Sequence, residues 1–233
     1  MSGVTPKRRM DRAMFNGLSE DFYRFFWEIA LNNNRAFYLA NAEHYRTNVY
    51  EPLCRLVDML APVVSNVDER ISMRYGHVIS RIRRDTRFTR DKSQYRDHAW
   101  LAFHPPGLRT SDCFVLYAEF SREDYGYGMG MYAPRTELMQ AMRERMLARP
   151  GKFLSMVQDP GFAGRFRIQG EAYKRPHYSD VSETLRPYVN MRSLSFCFVS
   201  KELRNTMLPA FAEEIIMAFR QLGPVYRFLM GLD

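Results

Sequence analysis

Between Arg81 and Tyr95 the chain reads RIRRDTRFTRDKSQY, which sets Arg81, Arg83, Arg84, Arg87, Arg90 and Lys92 around only two acids, Asp85 and Asp91. Widened to Arg70–Arg96, the window holds nine basic residues against the same two acids, nearly the whole +8 excess of the 233-residue protein. A field this localised argues for a site rather than a generally basic protein. Arginine presents a rigid fork of donors that matches carboxylate and phosphate oxygens. Several guanidiniums brought together repel one another unless an anion sits among them, and two aspartates are too few. The expectation is an anionic small molecule, phosphorylated or carboxylated, held by Arg81, Arg84, Asp85, Arg87, Asp91, Lys92 and Tyr95. In that arrangement Asp85 orients guanidiniums, and Tyr95 with Lys92 could serve as proton donor and charge stabiliser. Two roles stay open for Asp85, base or brace, and turnover of the bound molecule stays open with them.

Two other readings use the same residues. The cluster could be a structural Arg–Asp network that pins one layer of the fold to another, leaving an interaction module. It could also be a nucleic-acid surface, joined by the Lys7-Arg8-Arg9 tail. That reading wants exposed aromatics among the cations, and the window offers only Tyr75, Phe88 and Tyr95.

Other chemistry has little footing. The histidines at 44, 77, 98, 104 and 177 form no pair at metal spacing, and no CxxC occurs, so no metal and no cofactor are expected. There is no GxSxG and no nucleotide fingerprint. Gly126, Gly128 and Gly130 alternate with Tyr127 and Met129, but without a Gly-Lys-Ser/Thr ending. On a strand these glycines leave one face bare, which suits close packing better than phosphate binding. Cys54, Cys113 and Cys197 are odd in number and sit in apolar stretches, which predicts buried free thiols and a cytoplasmic protein. No apolar run approaches the roughly 20 residues that span a bilayer. The opening MSGVTPKRRMDR has no apolar segment behind its charges and reads as a flexible basic tail over residues 1–12.

The elements that must position the cluster follow from pattern. Hydrophobic content of 46% predicts a folded core, and residues 13–233 read as one α+β domain. Ser19 caps a helix carrying Phe22, Phe25, Phe26 and Ile29 on one face. Asn32-Asn33-Asn34 separates it from the next helix, Pro52 breaks or kinks that one, and Pro62 stops the following stripe. Strands are expected over His77–Phe88, His98–His104, Cys113–Phe120, Tyr125–Tyr132, Phe166–Tyr173 and Ser193–Val199, mostly antiparallel. Arg90–Arg96 reads as a polar turn, and Lys174–Arg192 as a polar excursion. Pro134 suits the first turn of a helix. Pro209–Leu222 is a closing helix with Gly223-Pro224 as its stop. Helices at both ends should cover the sheet.

The pattern Arg81-x-x-Arg84-Asp85-x-Arg87-Phe88, then Asp91-Lys92-x-x-Tyr95, resembles the signature of a bacterial conserved-hypothetical family, the domain of unknown function numbered 2461. Phe22 to Asn33 with its following helix, and Gly130-x-Tyr132-x-Pro134 ahead of Leu138 and Arg143, are similar to other stretches of that family. Gln94 stands where the family commonly has proline. The resemblance implies that the charged motif is the family's defining feature, and it supplies no activity.

Overall fold

The computed structural model describes residues 14–87, 90–131 and 133–233. The basic tail expected over residues 1–12 lies outside the described residues, as do Phe88 and Tyr132. Helix α1 spans Glu20–Leu31; Ser19 Oγ accepts from the Phe22 amide, and Glu20 and Asp21 face the positive end of the helix dipole. Asn34 caps α2, Arg35–Ala40. Short α3, Ala42–Tyr45, runs into a π-helical turn at Arg46–Tyr50 and then α4, Glu51–Val67. The widened turn lies directly ahead of Pro52, which enters α4 at its first positions, where a missing amide hydrogen matters least.

Two expected stops are overturned. Helix α4 continues through Pro62 to Val67, and the closing helix, α10, runs Phe211–Met230 through Gly223 and Pro224. Each proline lies on the exposed side of its helix, and so do Asp58 and Arg220, four residues earlier, whose carbonyls lose a partner. Water can satisfy those carbonyls, so the proline does not end the helix. Gly223 faces inward instead; a Cβ there would meet Val67 Cγ2 at 3.0 Å, so its bareness lets α10 lie close against α4.

Between these helices lies a five-stranded antiparallel sheet in the order β1-β2-β3-β5-β4. Its strands are β1 (Ala99–Phe103), β2 (Val115–Phe120), β3 (Tyr125–Gly130), β4 (Arg167–Gln169) and β5 (Ser195–Ser200). The architecture is α+β, as the pattern predicted. One sheet face is packed: Phe120 meets Phe22 edge-on at 5.9 Å, Phe103 meets Phe219 at 5.9 Å, and Tyr125 meets Phe211 at 5.2 Å. Alternation along the strands therefore sends Leu101, Phe103, Leu116, Ala118, Tyr127, Met129 and Phe196 into the helical layer.

Helices α6 (Thr136–Ala148), α7 (Pro150–Val157) and α8 (Pro160–Arg165) complete the far end. Pro134 precedes the Arg135 cap of α6 rather than sitting in its first turn. The expected polar excursion contains one helical turn, α9 (Arg186–Val189), and is tied down from within. Buried Arg143 donates to the carbonyls of Val189 at 3.0 Å and Met191 at 2.7 Å, and Asn190 Oδ1 accepts from the amides of His177 and Tyr178.

The strand expected over His77–Phe88 is not formed. Tyr75–Val78 is a helical turn, α5, and the chain then pairs with the run into β1 only through isolated bridges, Ile79 with Leu101 and Arg83 with Tyr95. A side chain interrupts the ladder: the Trp100 amide donates to Ser80 Oγ at 3.0 Å where a carbonyl would accept in a regular pair. Exposure still alternates from Arg81 to Arg87, odd positions outward, as in a strand. Residues 90–96, expected as a polar turn, form the return limb of this arm.

Asn33 fastens the arm to the helical layer. Its carboxamide donates to the Tyr95 carbonyl at 2.9 Å and accepts from the Tyr95 amide at 2.9 Å, and Tyr95 stacks on Tyr38 with centroids 4.8 Å apart. Replacing Asn33→Ala leaves both groups to find water. The expected cost is about 1–2 kcal/mol, with amide exchange sped up in residues 79–96 and unchanged in α10. Uniform acceleration across the protein would show that the arm has no separate anchor.

Candidate ligand cleft

The seven sequence-predicted residues form several local partnerships along the arm. Arg87 grips Asp85 with Nε at 2.9 Å and an outer nitrogen at 2.6 Å, and its amide donates to the same carboxylate at 3.2 Å. These bonds hold the Asp85 carboxyl down at about 2. A carboxylate that acidic is a poor base at neutral pH, and a brace for Arg87 is the role its contacts support. Arg84 pairs with Asp91. Lys92 donates to the Thr86 carbonyl at 2.9 Å. Arg81 is exposed, and Tyr95 is buried against Tyr38.

A cleft of about 640 Å³ opens next to this arm, on the sheet face away from the helices. None of the seven lines it. Its walls come from the residues that follow the arm: Arg96, His98, Trp100 and Ala102 alternate along the limb and β1, and Val115, Tyr117 and Glu119 alternate along β2. The volume lies within the range of small-molecule sites.

Arg96 joins arm to cleft. Its guanidinium carbon lies 4.4 Å from the centroid of Trp100, and its Nε donates to the Arg81 carbonyl at 3.0 Å. Among the described residues no carboxylate reaches it within ion-pair distance. Burial and the neighbouring Arg84 charge both press its pKa down. Arginine stays protonated regardless, so this half-buried cation has two further nitrogens to offer an anion.

Across the cleft stand an acid and an imidazole. Glu119 is the cross-strand partner of Trp100. His98 Nδ1 lies 3.0 Å from Asp97 Oδ1, and Arg122 holds the other oxygen of Asp97 at 3.2 Å. With Nδ1 donating to that carboxylate, Nε2 is the nitrogen left 3.9 Å from Glu119. His98 also stacks on Trp100 at 5.4 Å.

The floor is set by the glycine stripe. Tyr117, Gly128 and Cys197 stand abreast on β2, β3 and β5. Burial, then the nearby Cys197 thiol and Glu119, push the Tyr117 hydroxyl well above its usual range. Tyr117 and Cys197 therefore flank the bare backbone of Gly128 on the same face of the sheet. A Cβ on Gly128 would also run into the Phe196 carbonyl of β5. Bareness here serves close packing, and it shapes the cleft as a consequence.

Trp100, His98, Tyr117 and Glu119 were not singled out from sequence. The signal was available: polar and aromatic residues fall at 96, 98 and 100, alternating with apolar 99, 101 and 103. Among the described residues, no three His, Cys, Asp or Glu side chains cluster to hold a metal ion.

A family model described as a conserved hypothetical protein, DUF2461, matches residues 21–228. The chain belongs to this family. The matched span takes in the arm, the whole sheet and nearly all of α10, so arm and cleft are both parts of the family's fold. No curated protein matches the chain. No helix among the described residues is long and apolar enough to cross a membrane.

Proposed function

We propose that this DUF2461 protein is a cytoplasmic binder of an anionic small molecule, phosphorylated or carboxylated. The anion would sit in the sheet-face cleft against Arg96, with the arm residues Arg81, Arg84, Asp85, Arg87, Asp91, Lys92 and Tyr95 bracing the limb that presents Arg96. The observation that carries this is Arg96 itself: a half-buried guanidinium, stacked on Trp100, with no carboxylate partner among the described residues. Such a cation costs desolvation energy that a bound anion repays. Arg84 adds positive field at the mouth while remaining tied to Asp91. Buried, unbridged Cys54, Cys113 and Cys197 support a reducing compartment.

Calorimetric titration with inorganic phosphate, pyrophosphate and benzoate tests the reading. At least one should bind, and Arg96→Met should weaken it about tenfold or more while leaving the melting temperature nearly unchanged. Arg87→Ala, at a residue outside the cleft lining, should change affinity far less than Arg96→Met. Equal binding by wild type and Arg96→Met would sink the proposal.

A further inference from the structure

The cleft carries two opposite charges that flank one indole and do not meet. Arg96 lies over the Trp100 ring, and Glu119 is the residue directly across the strand pair from Trp100. No ion pair forms between them. The remaining charged groups facing this corner are accounted for. Asp97 is engaged by His98 and Arg122, and His98 approaches Glu119 only at 3.9 Å, as a neutral ring unless protonated. The rest of the lining carries no charge: Ala102, Val115, Gly130, Met131 and Tyr117, with the hydroxyls of Thr110 and Ser195.

From this arrangement, and resting on the reading that Arg96 holds an anion, we propose that the ligand is a zwitterion: an amino acid-like molecule with an acidic group on Arg96, a protonated amine on Glu119, and an apolar or aromatic body over Ala102, Val115 and Gly130. The argument is one of desolvation. Any ligand filling the cleft strips water from both charges. A simple anion satisfies Arg96 and leaves Glu119 unpaired and repelling it. A simple amine leaves Arg96 in the same state. A molecule with both charges pairs each, and the site discriminates against the two singly charged analogues by what it leaves unpaired.

Three probes of one shape test this: L-phenylalanine, 3-phenylpropanoate, which lacks the amine, and 2-phenylethylamine, which lacks the acid. L-Phenylalanine should bind wild type about tenfold or more tightly than either analogue. Arg96→Met should abolish binding of L-phenylalanine and of 3-phenylpropanoate. Glu119→Gln should weaken L-phenylalanine and strengthen 3-phenylpropanoate, because the repelling carboxylate is gone. That reversal cannot come from a cleft that has lost its shape. Equal wild-type affinity for L-phenylalanine and 3-phenylpropanoate, or no binding of L-phenylalanine at millimolar concentration, overturns the inference. Phosphate or benzoate binding lost in Arg96→Met would then leave the anion reading standing without it.

Discussion

Gly128→Val should unfold this protein at a temperature about 6–12 °C lower than wild type, from a loss of about 3 kcal/mol or more. The new side chain has nowhere to go. Its Cβ meets a backbone carbonyl, that of Phe196, and β5 can retreat only by giving up its hydrogen bonds to β3. Tyr117, the cross-strand partner of Gly128, stands on the same sheet face as the cleft, so the new side chain should disturb the cleft as well. Gly164→Ala is the matched control. Gly164 is exposed in α8, with nothing within 4 Å of its would-be Cβ, and alanine there should be neutral or gain about 0.5–1 kcal/mol. Calorimetric melting of the two variants checks both. A Gly128→Val protein that melts within a degree or two of wild type would mean that β3 and β5 are not held this closely.

Asp68→Ala should cost about 2–4 kcal/mol, and the cost should depend on pH. Asp68 ends α4 and is buried. Its carboxylate accepts from the Arg70 amide at 3.1 Å, from two Arg70 guanidinium nitrogens at 2.8 Å each, and from the Tyr226 hydroxyl of α10 at 3.1 Å. Truncation leaves the buried Tyr226 hydroxyl without a partner and cuts a link between the two longest helices. Burial works to raise the Asp68 pKa, but the Arg70 and Tyr226 hydrogen bonds and the Arg70 charge outweigh it, and the net shift is downward from 3.8. A depressed folded-state pKa contributes stability that is fully present above the unfolded value and is lost as pH falls through the folded value. The gap between wild type and Asp68→Asn, measured by urea denaturation, should therefore be wide at neutral pH. It should narrow as pH drops below about 4. A gap that is constant with pH would show that the carboxylate's charge contributes nothing there.

What could be read from the chain beforehand depended on the range of the interaction. Ser19, Asn34 and the Phe22–Phe26 face act within one or two turns, so their pattern marks α1 and α2 without knowledge of the tertiary contacts. The five strands could be found because each lies in a β-rich run bounded by turn residues, although β4 covers only three residues of the run expected over Phe166–Tyr173. Pro62 and Pro224 were misread because their effect depends on which side of a helix meets water, which only the packed fold decides. Arg81–Tyr95 was recognisable as charged, yet how its cations partition between Asp85, Asp91 and the cleft depends on register. The cleft was legible only by pairing β1 with β2, since Trp100 and Glu119 are nineteen residues apart in the chain and neighbours across the sheet.

The arm also closes off the flank of β1. Pairing of residues 79–84 with 94–101 occupies main-chain groups that an outer strand would otherwise present to another molecule. The arm's own outer side is studded with Arg81, Arg83 and Arg87, and the opposite end of the sheet stops at the three-residue β4. A second copy sliding in to extend the sheet meets repulsion on one side and too short a template on the other. Both edges thereby disfavour self-templated aggregation, one by the cations of the arm and the other by its shortness.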